Sequence, residues 1–186
     1  MGGDGLNNQK IKNSVLIALF SALIVVCSLI TIPSAIPFTL QTFAVFLSLN
    51  ILGAKKGIVS IFIYILLGIV GLPVFSGFNG GIGALFNVTG GYVFGFIFSA
   101  LVFGLITSIF NKNQRKTVIL IASFSALIIC YVSGTAWYIL MFLKNGDNIS
   151  ITSAVTVCVL PFIIPDTFKI LLSVAISEKV KKHLKI

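Results

Sequence analysis

The chain has 186 residues, of which 58% are hydrophobic and 9% are charged, and its formal net charge at pH 7 is +9. Soluble globular domains carry about 25% charged residues, because their surface must be solvated by water. This composition excludes an ordinary soluble domain and predicts an integral membrane protein.

Long stretches without any charged residue predict several membrane crossings. The uncharged stretches are residues 13–54, 57–111 and 117–143. A transmembrane helix needs about 20 apolar residues, so the first two stretches each hold more than one crossing.

Prolines, glycines and lysines divide these stretches into six predicted helices. Pro33 and Pro37 interrupt the first stretch, since two prolines so close together cannot continue a regular helix. Residues 73–83 contain four glycines and are predicted as a loop. The predicted helices span residues 14–32, 39–52, 58–71, 86–110, 117–143 and about 165–181, with residues 53–57 connecting the second to the third and a short outer segment from residue 150 before the sixth.

The basic residues predict the orientation of this all-α, six-transmembrane-helix bundle. Eleven of the 13 Lys and Arg residues fall at helix ends that six crossings place on one side, and an excess of basic residues marks the cytoplasmic side. Both termini are therefore predicted to be cytoplasmic. We expect residues 1–13 and 183–186 to form tails and residues 14–182 to form the transmembrane domain. The excess of basic residues on the cytoplasmic side, where they are attracted to anionic lipid head groups of the bilayer, explains the net charge of +9. No nucleic-acid partner is therefore needed to explain it.

The sequence offers little material for metal binding or catalysis. Cys27, Cys130 and Cys158 lie in apolar stretches without a second nearby ligand, and His183 is the only histidine. Buried apolar packing is the expected role of the cysteines, and no metal site is predicted. No nucleotide-binding or hydrolase motif is present, so we predict that the chain is not an enzyme.

Asp166 and Lys169 are charged residues in the first turns of the sixth predicted crossing, and their spacing places them on one helix face. Charged groups within a membrane are costly and usually face a cavity or each other. A structural ion pair following Pro165 and a ligand contact are both consistent with this pattern.

The loop of residues 73–83 is a second candidate for ligand contact. Phe75 and Phe78 favour folding of the loop back over the helices, and Asn79 supplies a polar side chain. The loop is interpreted either as a flexible exterior connector or as a lid.

Uncharged polar and aromatic residues within the helices have two possible roles. Hydrogen bonds between helices are the more common role for the polar ones, and interfacial anchoring is the more common role for the aromatic ones. We assign Gln41 and Tyr138 to the ligand site as well. The residues considered are Gln41, Asn50, Asn87, Thr89, Trp137 and Tyr138.

Four further motifs occur in order along the chain, namely Ile36–Thr42, Gly68–Phe75, Thr89–Phe96 and Leu160–Lys169. With these motifs the chain resembles the BioY family, the biotin-binding S components of energy-coupling factor transporters. The resemblance extends over about residues 14–182.

The resemblance implies a six-helix bundle with an outward-facing pocket for biotin, capped by the loops after helices one and three. It implies that Asn79, Asp166 and Lys169 bind the ligand, with Phe75, Phe78 and Tyr138 covering its ring. No cofactor is implied.

The resemblance also implies association with a membrane coupling subunit and two ATPases in the cell membrane of a bacterium. Ala18 and Ala22, a small-xxx-small pair on helix one, would form the contact with the coupling subunit. The alternatives are an S component for another vitamin, a structural or pore-forming membrane protein, and a membrane enzyme.

Overall fold

Helices dominate the fold in this computed structural model, which describes the backbone of residues 3–110 and 116–184. Within these residues, five helices are long and apolar enough to cross a membrane, as expected for an all-α membrane protein. The elements are α1 (Gly3–Leu29), β1 (Thr31–Ile32), β2 (Phe38–Thr39), α2 (Gln41–Ile69), α3 (Ile82–Leu85), α4 (Gly90–Ile109), α5 (Lys116–Lys144), α6 (Ile151–Cys158), a 3-10 helix (Leu160–Phe162) and α7 (Ile163–Leu184).

Helix α2 doubles back on itself at Gly53, whose φ of 75° and ψ of 169° are not helical. The side-chain amide of Gln41 lies 2.8 Å from the hydroxyl oxygen of Tyr64. In an uninterrupted helix these residues would be about 34 Å apart, since each residue rises 1.5 Å. The first arm (residues 41–52) and the second arm (residues 54–69) are therefore the predicted second and third helices, and the six predicted crossings are α1, the two arms, α4, α5 and α7.

The predicted connector between these arms was too long. Residues 53–57 were expected to form a loop, but only Gly53 leaves the helical conformation. A glycine reaches this region of φ and ψ without a Cβ clash, so one residue is sufficient to reverse the chain. Lys55 and Lys56 consequently lie in the first turn of the second arm.

The first helix ends earlier than predicted, at Leu29 instead of residue 32. The prolines do interrupt it, but the following segment forms an antiparallel hairpin in which Thr31 pairs with Thr39 and Ile32 with Phe38. Strands of two residues carry no sequence pattern, so this hairpin was not predicted. At its other end α1 begins at Gly3, so residue 13 is not a break in the helix, and the division into tails and bundle stays a prediction.

The later helices follow the prediction with shifts of a few residues. Helix α5 agrees within one residue at each end. Helix α4 begins at Gly90 instead of residue 86, because the chain makes the separate turn α3 and a short irregular segment first. Helix α7 begins at Ile163, so Pro165 lies in its first turn, where backbone N–H groups have no partner within the helix.

The bundle is packed by apolar residues inside and exposes apolar residues outside. The three cysteines are buried and unpaired, as predicted. Large apolar side chains at least half exposed occur on every long helix, which suits a surface solvated by lipid. Examples are Val15, Phe62, Leu105, Val132 and Phe168.

Candidate ligand-binding site

A cavity of about 70 Å³, with both polar and apolar side chains in its lining, lies at the end of the bundle where α2 and α7 begin. Two loops border it, the β-hairpin and the segment after α2, as the resemblance implied for the pocket. By a rule of 10–15 Å³ for each molecule, this volume holds about five water molecules. The residues that line it include Thr39, Gln41, Thr42, Tyr64, Phe75, Ser76, Asn79, Asn87, Thr89, Tyr92, Tyr131, Asp166 and Lys169.

Asp166 and Lys169 form a buried ion pair at this cavity. Both lie near the start of α7, one helical turn apart, and their charged atoms are 2.8 Å from each other. Asp166 is 2% exposed and Lys169 is 8% exposed. The pair is therefore a salt bridge that also borders a cavity, so the two sequence interpretations are not mutually exclusive.

The Asp166 carboxylate accepts hydrogen bonds at both oxygens. The hydroxyl of Thr42 donates to Oδ1 at 2.9 Å. The hydroxyl of Tyr131 donates to Oδ2 at 2.8 Å. Each carboxylate oxygen accepts about two hydrogen bonds, so Oδ2 retains capacity for one more donor.

The Lys169 ammonium uses all three of its protons within the protein. It donates to the Thr39 carbonyl at 2.7 Å, to the Thr42 hydroxyl at 3.1 Å and to Asp166 Oδ1 at 2.8 Å. It also lies 5.6 Å from the centre of the Phe38 ring, which stacks on Phe162. These contacts join α7 to the β-hairpin, so the position of Lys169 is coupled to that loop.

The segment after α2 folds over the helices instead of extending outward. Phe75 is 5% exposed and meets the Tyr64 ring edge-on at 5.6 Å. It lies directly over Gly68, where a Cβ atom would overlap its ring. The Gly81 N–H donates to the Gly68 carbonyl at 2.7 Å, and the Ser28 hydroxyl donates to the Val74 carbonyl. This arrangement agrees with the lid interpretation of the loop.

Asn79 lines the cavity from the tip of the same segment. Its side-chain amide donates to the Ser76 carbonyl at 2.8 Å, and its backbone carbonyl accepts from the Phe75 N–H at 2.9 Å. The amide oxygen of Asn79 has further acceptor capacity. The tip is thus a small closed turn that presents one polar side chain to the cavity.

Gln41 opens α2 at the wall of the cavity and is buried. Its amide nitrogen donates to the Tyr64 hydroxyl, which joins the two arms of α2 at their open end. The bond is the interhelical contact that the sequence favoured for Gln41, and it lies where a ligand contact was also predicted.

Two residues predicted to contact the ligand lie away from this cavity. Phe78 is 68% exposed and has a φ of +59°. Tyr138 is buried in a separate apolar cluster with Ala154 and Cys158, and its ring packs on Phe142 at 4.7 Å. Contact of either residue with a ligand stays a prediction.

The structure brings further residues to the cavity that sequence reasoning did not assign to it. Thr42, Tyr64, Tyr92 and Tyr131 line it beside the predicted ones. Thr42 and Tyr92 fall within two of the quoted motifs, which was a usable signal. For Tyr131, in the middle of an apolar helix, the sequence gives no comparable signal.

The other candidate polar residues divide between the two roles. Asn50 hydrogen-bonds to Ser173 at 3.0 Å and to Ser123 at 3.2 Å, which is an interhelical role. Asn87 and Thr89 line the cavity. Trp137 donates to the Asn87 carbonyl at 3.0 Å and so ties α5 to the start of α4.

Ala18 and Ala22 lie on the exposed side of α1, one turn apart. Exposed apolar residues flank them on the same helix, namely Val15, Leu19 and Val26. The bundle therefore leaves this face of α1 uncovered.

Comparison with known proteins identifies relatives that match most of the length of the chain. The model of the BioY family matches residues 5–186. "Biotin transporter BioY" of Thermotoga maritima is 40% identical, over 88% of this chain and 92% of that protein. "Probable biotin transporter BioY" of Pyrococcus horikoshii is 36% identical, over 93% of this chain and 98% of that protein.

A solved structure is similar to this fold as well. It is the crystal structure of the S-component for biotin from an ECF-type ABC transporter, with a TM-score of 0.83 and 27% identity. The similarity covers 95% of this chain and 94% of that one. The bundle and the order of its helices are thus those of a known membrane component.

Proposed function

This chain belongs to the BioY family, and from that premise we propose that it is the biotin-binding S component of an energy-coupling factor importer. It is a multi-pass protein of the cell membrane and a transport protein, not an enzyme. The observation that carries the proposal is the buried Asp166–Lys169 pair, which borders a cavity covered by two loops.

Biotin presents groups that complement this cavity. Its ureido ring has two N–H donors and one carbonyl acceptor, and its side chain ends in a carboxylate. Asp166 Oδ2 has capacity for one more donor, and the Asn79 amide pairs with either a donor or an acceptor. Tyr64 and Phe75 offer aromatic surface for the apolar ring system.

On this proposal, the cavity must rearrange before biotin can bind. Biotin is larger than a cavity that holds about five water molecules. The segment that carries Phe75 and Asn79 covers the cavity, and its displacement enlarges the site. Lys169 must also give up one of its three bonds to contact biotin.

On this proposal, partner proteins supply the energy for import. The partners are a membrane coupling subunit and two ATPases. The uncovered face of α1 around Ala18 and Ala22 is the proposed contact with the coupling subunit, because small residues let another helix approach closely. On this proposal the basic helix ends lie on the cytoplasmic side, so the covered cavity faces the exterior.

Calorimetric titration of the detergent-purified protein tests the ligand. We expect biotin to bind with a saturable heat at nanomolar to micromolar concentrations. Thiamine and riboflavin should give none, since neither has a cyclic urea with two N–H groups to pair with Asp166. Binding of another vitamin but not biotin would assign a different substrate, and no heat from any vitamin would contradict a role in vitamin uptake.

A further inference from the structure

A second cavity, of about 470 Å³, lies at the opposite end of the bundle from the ligand site. The turn of α2 at Gly53, the end of α4, the start of α5 and the end of α7 surround it. Nothing in the proposed import function assigns a role to it.

Three lysines line this cavity, namely Lys55, Lys56 and Lys181. The first two follow the turn in α2, and the third comes from the last turns of α7, so only the tertiary structure brings them together. Glu178 lies on the same part of α7, but it pairs with Lys116 at 3.4 Å and does not line the cavity. Lys56 also donates to the Asn13 side chain at 2.7 Å, which leaves its charge and two of its protons. Like charges around one concave surface repel each other and favour a bound anion.

The deeper wall of the cavity is apolar. Leu49, Leu52, Phe103 and Ile119 contribute to it. Asn50 also lines the cavity, but its side chain is hydrogen-bonded to serines of α5 and α7. The cavity therefore combines a cationic rim with a hydrocarbon wall, which suits a ligand that is anionic at one end and apolar at the other.

We propose that this cavity binds the phosphodiester head group of an anionic phospholipid, with its glycerol and upper acyl carbons against the apolar wall. The hydroxyls of Thr107 and Ser108 also line the cavity, but each donates its one proton to a carbonyl of α4, so the lysines are the donors for the phosphate oxygens. The cavity lies where the basic helix ends meet lipid head groups, and basic pockets between helices at this level bind such lipids. Inorganic phosphate shares the anionic chemistry but leaves the apolar wall uncovered.

Native mass spectrometry of the full-length protein, released from nanodiscs, tests the proposal. Nanodiscs of phosphatidylglycerol are compared with nanodiscs of phosphatidylcholine. We expect one phosphatidylglycerol to be retained in preference to phosphatidylcholine. Lys181→Gln should weaken this retention about fivefold, since each lysine near a membrane surface contributes about 1 kcal/mol to the attraction.

Lys179→Gln is the matched control. It removes the same charge from the same helix, at an exposed position that does not line the cavity. We expect its retention of phosphatidylglycerol to stay within about twofold of the unaltered protein, because only the lysines at the cavity contact the head group. Equal losses in the two variants would indicate attraction to the surface as a whole and would overturn the proposal.

Two further measurements keep the test decisive. Lys55→Gln should weaken retention of phosphatidylglycerol as much as Lys181→Gln does. If one of the two variants fails to fold, the other still tests the proposal. Inorganic phosphate at millimolar concentration should not displace the lipid, and displacement would assign the site to a free anion instead. The proposal does not rest on biotin binding, which is measured separately on the same samples and reports on the opposite end of the bundle.

Discussion

The Asp166–Lys169 pair is almost saturated with hydrogen bonds from the protein itself. Thr42 bridges the two side chains, Tyr131 donates to the second carboxylate oxygen, and Thr39 accepts from the ammonium. Such a pair is costly to bury, because desolvation opposes the attraction between the charges. Two features distinguish it from a pair that only joins helices. It borders a cavity, and Oδ2 of Asp166 can accept one more hydrogen bond.

Asp166→Asn is expected to weaken biotin binding about tenfold to a hundredfold. A hydrogen bond to a charged group contributes about 1.5–3 kcal/mol. The amide of the new asparagine would also present an N–H donor where a carboxylate oxygen accepts a hydrogen bond from the ligand. The variant should also unfold at a lower temperature, because Lys169 remains buried without its counter-charge. Titration calorimetry and thermal unfolding in detergent measure the two effects.

The double variant Asp166→Asn with Lys169→Gln separates binding from stability. It removes both buried charges, so the unfolding temperature should recover toward that of the unaltered protein while biotin binding stays weak. If the double variant instead binds biotin with unaltered affinity, the pair is structural and does not belong to the ligand site.

At the scale of elements, the segment after α2 depends on a close approach between Phe75 and Gly68. Gly68→Ala is expected to displace Phe75, because the new Cβ atom would overlap its ring. Bound biotin should then dissociate faster, by about tenfold, as removal of aromatic cover costs on the order of 1.5 kcal/mol. Release of labelled biotin over time provides the measurement.

Gly83→Ala is the control for this loop. Its Cβ atom would meet no other atom within 4 Å, and its backbone is not in the positive-φ region. Release of biotin from this variant should match the unaltered protein. Equal release rates for Gly68→Ala and Gly83→Ala would show that Phe75 does not cover the ligand.

The reversal of α2 depends on a single glycine. Gly53 has φ near 75° and ψ near 169°, a combination that residues with a Cβ atom almost never adopt. No atom lies within 4 Å of a Cβ built there, so Gly53→Ala tests backbone strain without a steric clash. We expect a loss of about 1–3 kcal/mol in the free energy of unfolding, measured by denaturant titration in detergent. An unchanged value would mean that the chain can turn another way.

At the scale of the whole molecule, import requires a surface on which the bundle meets its partners. Leucine at both Ala18 and Ala22 should leave biotin binding unchanged, because these residues lie on the exposed side of α1, outside the cavity lining. Co-purification with the coupling subunit should fall about tenfold or more, since larger side chains keep the helices apart. Biotin uptake by cells should fall in parallel.

Ala175→Leu is the matched control, because Ala175 is an exposed alanine on α7. It should neither reduce co-purification nor impair uptake. A similar loss from the α7 variant, or none from the α1 variant, would remove the contact from the face of α1.

The sequence by itself determined the membrane environment, the helices and the charged pair. Too few charged residues to solvate a surface leave lipid as the solvent, and apolar stretches in lipid must be helical so that their backbone groups are paired. An Asp and a Lys one turn apart within such a stretch lie on one face for the same geometric reason. These conclusions depend on local spacing, which the sequence contains.

Only the tertiary structure decided which distant residues meet. Tyr131 reaches Asp166 across 35 positions of the chain, and Lys181 reaches the turn that carries Lys55 across more than a hundred. Packing between helices also decides three local features that the sequence did not reveal. They are the one-residue reversal at Gly53, the two-residue strands, and the position of Phe75 at the cavity while Phe78 lies away from it. Such contacts follow from the shapes of facing surfaces, which no local pattern of residue types specifies.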